Sequence, residues 1–446
     1  MFLRAILALN LIIFVTSAYA VTPITLENAV NHALKNNPDL LATQQQVTVA
    51  HEQFLSVDAA YEPIISLSYS ARISDNPLDA FADKLFMQQI TTQDFEASRL
   101  NNPNTTELYT TSLSVRLPLY TGGKIEAQQL QSSITYKQRQ LLYQRAQQQT
   151  VFQTKQAYLY VIAAHKALLI AKQATQAFQN HANSTAKLAR QERIVESDKF
   201  SAQVTLSTVK SQLEQSQTRY KNAITRLQRV MGMPLNNLIS TTTTWPNIEA
   251  LQDDLDTLYI KAKKHRADLL AANKSIDSAR ANIDIADSEN NLKLNLVASS
   301  NWYDDNLGFD SQSSSLMAVA SLNLYDGTTR SKLGSARALH KEQQWRRQSL
   351  LQTVQSEVKQ VFDSLLEAKS RAAIAKNNVV VAKKTVRLVK KRYGRGLTIL
   401  LDLLQSEKMY VDARLEKLTS EFNLRTSQLS LQNAVGVLEV PKGVQH

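Results

Sequence analysis

The chain repeats itself, and the repeat limits what it can fold into. Leu26 to Leu41 (LENAVNHALKNNPDLL) returns as Leu255 to Leu270 (LDTLYIKAKKHRADLL), with Leu26, Ala33, Asp39, Leu40 and Leu41 recurring 229 positions later. A second echo sets Leu119-Tyr120-Thr121-Gly122 against Leu324-Tyr325-Asp326-Gly327 at an offset of 205. The 24-residue difference places an insertion in the first copy, between the two matched blocks. A unit of about 200 residues used twice predicts one pseudo-symmetric body with repeats at 21–246 and 247–446.

Residues 1–20 read as a secretory signal. Arg4 gives a positive start, Ala5 to Val15 is apolar apart from Asn10, and Ala18-Tyr19-Ala20 is a small-x-small cleavage site. No later segment offers 18 consecutive apolar residues, which argues against a helical inner-membrane protein. Cysteine is absent, so an exported chain of this kind uses no disulfides and carries no lipid on an N-terminal Cys. Removing the signal takes the formal charge only from +12 to +11. Such a charge raises nucleic acid as a partner, but export and the lack of any nucleic-acid motif argue against it. A basic face toward anionic envelope surfaces or acidic partners fits export, and solvated lysine on long helices is the plainer reading.

Between Lys124 and Met231 lie 108 residues without Gly or Pro, which together make up about an eighth of ordinary chains. The gap recurs from Ser335 to Tyr393 and from Leu397 to Val435. Long helices are predicted near 123–192, 198–232, 328–393 and 399–435. In the third, Leu351, Val354, Val358, Val361, Leu365, Ala368, Ala372, Ala375, Val379, Ala382, Val386, Val389 and Tyr393 alternate steps of three and four, a heptad seam for packing helix on helix. Leu404, Val411, Leu415, Leu418 and Phe422 give the returning helix a matching stripe. Helices of roughly 60 to 70 residues are about 90 to 105 Å long and suit a body that crosses a wide gap. The turns fall near Glu192–Asp198 and Gly394–Thr398, with Thr398 expected as the N-cap of the last helix.

Each copy also holds two alternating segments, predicting strands near 63–72, 108–120, 293–303 and 315–325. Ile65, Leu67, Tyr69 and Ala71 oppose Ser66, Ser68, Ser70 and Arg72, and the other three follow the same period. About ten residues of such alternation is the pattern of a transmembrane β-strand. Four strands leave two open edges, which hydrocarbon does not tolerate, and the smallest membrane barrels have about eight strands. Copies of the chain must pool their strands, as a dimer or a trimer. On this pattern Arg72, Arg116 and Lys293 fall on the polar side and face a lumen.

With these parts in place, the sequence resembles the TolC family of outer-membrane channels, the exit ducts of Gram-negative efflux pumps and type I secretion systems. The markers run in order: Ile24-Thr25-Leu26-Glu27-Asn28-Ala29 with Asn36-Asn37-Pro38-Asp39-Leu40, Pro118-Leu119-Tyr120-Thr121-Gly122-Gly123, Leu322-Asn323-Leu324-Tyr325-Asp326-Gly327, and Arg392-Tyr393-Gly394-Arg395-Gly396-Leu397 leading into Leu401-Asp402-Leu403-Leu404. The resemblance implies a mixed α/β membrane protein, mostly α. It would be the protomer of a trimeric twelve-stranded β-barrel in outer-membrane lipid, with a twelve-helix tunnel in the periplasm. It also implies a periplasmic adaptor and an inner-membrane transporter as partners, no cofactor, and an extracellular position for the inserted loop from Ser74 to Glu107.

Carried onto this chain, the family's entrance carboxylate is Asp402, with Asp198 at the corresponding turn of the first copy. Three copies of Asp402 would make a ring favouring cations. Asp402 also lies in a first helical turn, where the macrodipole alone favours a carboxylate. Some relatives have a second Asp where this chain has Gln405, and an Arg where it has Thr398, so the ring is weaker here and that lock is absent. Adaptor contacts would fall on Ser197, Gly394, Arg395, Gly396 and Leu397, although the glycines also serve simply to end a helix. Lys383, Lys384, Arg387, Lys390, Lys391, Arg392 and Arg395 avoid the seam and read as a solvated face or as a dock for an acidic partner.

The seven histidines show no metal-ligand spacing, and no nucleophile motif or phosphate loop appears, so no enzyme and no metal site is expected. A non-conducting coiled-coil stalk would explain the heptads but not the paired strands. No residue distinguishes efflux from protein secretion; by base rate the expected role is the exit duct of a tripartite efflux pump, with type I protein secretion as the alternative.

Overall fold

The computed structural model describes residues 23–235 and 239–441; the secretory-signal reading of residues 1–20 lies outside them. The first copy comprises β1 (Pro23–Ile24), α1 (Leu26–Asn36), α2 (Pro38–Asp58), β2 (Ile64–Ser74), α3 (Pro77–Phe86), α4 (Ala97–Asn101), β3 (Thr106–Tyr120), α5 (Lys124–Arg190), α6 (Glu196–Met231) and β4 (Ser240–Thr241). The second comprises α7 (Leu255–His265), α8 (Ala267–Asp287), β5 (Lys293–Asp304), β6 (Ser311–Ser321), α9 (Gly327–Tyr393) and α10 (Leu400–Val435). Helices of 11, 21, 67 and 36 residues follow one another in both copies. The insertion is also visible: α3 and α4 have no counterpart between β5 and β6.

Local chemistry explains the repeated boundaries. The Thr25 hydroxyl accepts from Asn28 N and starts α1. At the α1–α2 joint, Asn37 accepts from Leu40 N at 3.0 Å while Pro38 opens the next helix. Asn37 also donates from Nδ2 to Val230 O at 2.8 Å, tying the joint to α6. Gly122 (φ +69) turns β3 into α5 where a Cβ would come within 2.5 Å of Asn291 Cβ. Asn291 Nδ2 donates to Gly122 O at 2.8 Å and holds that turn in place.

The described chain forms two compact units, each drawing on both copies. One gathers the residues up to Leu41, Gln147–Tyr259 and those from Glu357 onward. Its first core packs Ala29 and Ala33 of α1 against Tyr158, Val161 and Ile162 of α5 and Ala223, Leu227 and Met231 of α6. Tyr158 is buried, and its hydroxyl meets Ile24 O and Thr242 Oγ1 at 2.9 Å each. That anchors β1 and β4, a parallel pair, to the helices. On α9 the heptad residues Val358, Leu365, Ala368 and Ala375 are buried, as the seam requires.

The other unit, Ala42–Ala146 and Ile260–Ser356, holds one antiparallel sheet in the order β2-β3-β5-β6. Its margins, β2 and β6, have no partner among the described residues. The last strand differs from the expectation of 315–325. It runs Ser311–Ser321, and Leu324 is 91% exposed beyond it. The alternation of Leu322 and Leu324 continues past the point where pairing with Lys293 ends, so pattern alone placed the strand too late. The inserted loop is likewise not a bare loop, because Asn76 Oδ1 accepts from Leu78 N and caps α3 behind Pro77.

Candidate functional site

Two helix turns and one sheet face carry the expected functional residues. The turns share their geometry. After α9, Leu397 N donates to Arg392 O and Gly396 N to Tyr393 O, both at 2.9 Å, with Gly396 at φ +73. After α5, Arg193 N donates to Leu188 O and Glu192 N to Ala189 O, both at 3.0 Å, with Glu192 at φ +55. Each is a Schellman stop, and the first copy forces a glutamate into the left-handed position that glycine fills in the second. The glycine pair therefore does end a helix, whatever else it does.

The two turns belong to one cluster. Phe178, Ala182, Ala202 and Leu206 of the first hairpin pack with Leu400, Leu403 and Leu404 of the second, flanked by Val389, Tyr393 and Val411. Burial, and then the nearby Asp198 carboxylate, raise the Tyr393 phenol above its ordinary pKa. Polar contacts also join the hairpins near this cluster. Arg414 Nη2 donates to Gln173 Oε1 at 2.7 Å, and His181 Nε2 lies 3.4 Å from Glu407 Oε1. Sequence reading missed these four residues, which are more than 220 positions apart and carry no motif.

Asp402 and Gln405 lie on the exposed side of α10, opposite the buried Leu403 and Leu404. The expected N-cap is corrected: Ile399 occupies that position, without a side-chain cap. Thr398 precedes it and donates its hydroxyl to Asp402 Oδ2 instead. Ser197, Gly394, Arg395, Gly396 and Leu397 are exposed, and Asp198 is half-buried. Val195, Leu397, Ile399 and Leu401 add exposed aliphatic surface to the turns. The basic residues from Lys383 to Arg395 are exposed and have no ion-pair partner among the described residues.

Register sorts the sheet into two faces, because residues directly opposite one another point the same way. One face carries Ile65, Leu67 and Tyr69 beside Leu113, Val115, Leu296, Ala298, Leu316 and Ala318. Across the other run Ser66-Ser114-Ser299-Ser315 and Ser68-Ser112-Asn301-Ser313. Arg72, Arg116 and Lys293 all belong to this serine face. Two of them are engaged. Arg72 pairs with Asp79 and Asp83 of α3, and Lys293 Nζ sits 2.9 Å from Glu289 Oε2. Lys124 reaches the other Glu289 oxygen at 2.6 Å. Bonds from Lys124 and Lys293 pull the Glu289 carboxyl down to about 2.

Among the described residues no cluster of His, Cys, Asp and Glu could hold a metal ion. Nor is any described helix long and apolar enough to cross a membrane, which says nothing of the sheet.

Comparison with known proteins agrees with this architecture. The family model described as outer membrane efflux protein matches residues 29–233 and 258–437, nearly all of both copies. The CusC channel structure superposes with a TM-score of 0.77 at 16% identity, over 93% of this chain and 93% of that one. The CmeC outer membrane channel of Campylobacter jejuni gives 0.78 at 16% identity, over 92% and 85%. The open-state MtrE channel of Neisseria gonorrhoeae gives 0.73 at 16% identity, over 92% and 88%. No curated protein matches the chain in sequence. Identities this low speak for the fold.

Proposed function

Because the chain belongs to the outer membrane efflux protein family, the TolC-type channels, we propose that it is a passive homotrimeric exit duct, opened at its helical turns by a periplasmic adaptor. Family membership makes it an outer-membrane efflux channel, a transport protein and not an enzyme. Channels of this family form trimers and work with pump partners.

One observation carries oligomerisation for this chain, and the family supplies the number three: a four-stranded sheet with both margins unpaired among the described residues and an apolar face in the open. Ile65 is 66%, Leu67 73% and Leu316 71% exposed, on the face that would meet lipid. Neither the edges nor those side chains are stable in a lone protomer. Three sheets joined edge to edge make a twelve-stranded wall with the serine face inward.

The entrance is the turn region, with Asp402 and Gln405 at the constriction and Asp198 at the equivalent turn. Exposed Ser197, Gly394, Arg395, Gly396 and Leu397 offer the adaptor its contact, and an inner-membrane transporter supplies cargo and energy. Arg116 gives the lumen a positive charge, while Lys293 on the same face is tied to Glu289. Opening requires the second hairpin to leave the first, which breaks the Arg414–Gln173 and His181–Glu407 contacts.

Planar-bilayer recording of the purified full chain tests this reading. Wild type should conduct in small steps, and Glu407→Ala with Arg414→Ala should raise conductance severalfold. A preparation that never conducts, with or without those substitutions, would reduce the protein to a stalk.

A further inference from the structure

The 75–105 insertion is a built element with its own ion pairs. Asp83 is fully buried, with Arg72 paired to it and Thr106 Oγ1 donating to its Oδ2 at 2.9 Å. Asp79 takes Arg72 at 3.4 Å and the Ser74 hydroxyl at 3.0 Å. Further along, Lys84 Nζ lies 2.6 Å from Asp94 Oδ1, while Asp94 Oδ2 accepts from Thr91 N and Oγ1. A buried carboxylate with its cation and donors in place commits the segment to one position, because unpairing it is costly.

That position is on one side of the sheet. Beyond Arg72, Ser74 and Thr106, the insertion stacks Phe86 on Tyr303 at a centroid distance of 4.9 Å, and its Met87 carbonyl accepts from Ser311 Oγ at 2.7 Å. Register assigns Arg72, Ser74, Thr106, Tyr303 and Ser311 to the serine face without exception. Leu108 and Ser311, on the same face, are buried beneath it. The insertion therefore folds over the polar face at the β2–β3 loop end and leaves the apolar face bare.

We propose that the insertion lies within the outer mouth of the closed barrel and forms a second constriction on the exit path, with Arg72–Asp83 as its anchor. The inference rests on the trimeric-channel reading, since only a barrel closed with the serine face inward turns that face into a lumen. Leu78 (76%), Phe95 (61%) and Leu85 (51%) of the insertion are exposed. Three copies bring such side chains together around one opening, and a narrow apolar passage resists wetting and the transit of bulky hydrated solutes. Arg72 is then a positioning residue for the constriction and not a free charge in the lumen.

The absence of cysteine makes the test clean. Ser114→Cys puts one thiol on the serine face, inside the sheet and away from the insertion. Intact cells are treated from outside with a small impermeant maleimide and with a polymer-bearing one. The small reagent should label the thiol in every background. The polymer reagent should be excluded until residues 78–103 are replaced by a short Gly-Ser linker, and should then react about tenfold faster. Arg72→Gln in the full-length insertion should raise polymer labelling part of the way, which keeps the test open if the shortened variant does not assemble. Equal polymer labelling with and without the insertion overturns the constriction, and an unchanged rate in Arg72→Gln overturns the anchor. If even the small reagent never reaches position 114 while a thiol at Leu113 reacts, the serine face is not the lumen and the barrel reading itself falls.

Discussion

Thr398 donates its hydroxyl to Asp402 Oδ2 across the first turn of α10. This contact holds one candidate entrance carboxylate against its own backbone turn and makes its charge local. If three copies of that carboxylate ring the entrance, the ring sets ion preference through Asp402 alone, because Gln405 brings no charge. Asp402→Asn should lower the cation-to-anion permeability ratio by roughly twofold or more, read as a reversal potential in a salt gradient. Thr398→Ala should leave the ratio close to wild type, since the charge remains. An unshifted reversal potential in Asp402→Asn would take this residue out of the ion path.

The two Schellman stops differ at one position, Glu192 against Gly396, and the difference has a sign. A side chain in the left-handed region costs about 1 kcal/mol. Gly396→Ala should therefore loosen its turn by about that amount, and Glu192→Gly should relieve strain of similar size. Hydrogen exchange at the Gly396 and Leu397 amides should accelerate severalfold in the first variant. Exchange at Arg193 should slow in the second.

Glu289 links pH to the stability of the sheet-bearing unit. Its carboxyl is held at about 2 by Lys124 and Lys293. A depressed folded-state pKa contributes stability that is complete above the ordinary glutamate range and is lost as pH falls through it toward about 2. Glu289→Gln should then cost about 2 kcal/mol at neutral pH, after allowance for partial solvent screening. The gap between variant and wild type should close as pH approaches 2. Thermal unfolding in detergent across that range checks both the size and the direction.

On α9, Ile374, Val381 and Leu388 repeat every seven residues outside the buried seam, and Val381 and Leu388 are each 62% exposed. A second heptad stripe without a partner among the described residues suits a helix of a neighbouring copy. Val381→Glu or Leu388→Glu should weaken assembly by about 2 kcal/mol per side chain. Sedimentation in detergent should show lighter species at low protein concentration. Assembly as tight as wild type would mean that this stripe faces something other than a neighbouring copy.

Much of this fold is legible in the residues because the duplication supplies the long-helix and main-strand boundaries twice. Gly-free, Pro-free runs mark the long helices, and alternating serine and aliphatic residues mark both faces of the sheet. The inserted segment had no second copy to check against. Its signal was present, in Asn76-Pro77 followed by Asp79 and Asp83 one helical turn apart, but only the fold reveals that both carboxylates answer Arg72. The N-cap reading of Thr398 failed because the helix begins one residue later, after Ile399, and the Thr398 hydroxyl donates to Asp402 instead. Contacts between hairpins, such as Arg414 with Gln173, depend on packing of distant segments and leave no local trace.

The sharpest measurement is the mass of the species formed when cysteines placed in β2 and β6 of the same full-length chain are oxidised in the membrane. Because those strands are opposite margins of one sheet, a ring of three protomers predicts a covalent product of three chains. Disulfides confined within single chains would mean that each sheet closes on itself, and a product of two chains would mean a different barrel; either would contradict the trimeric account.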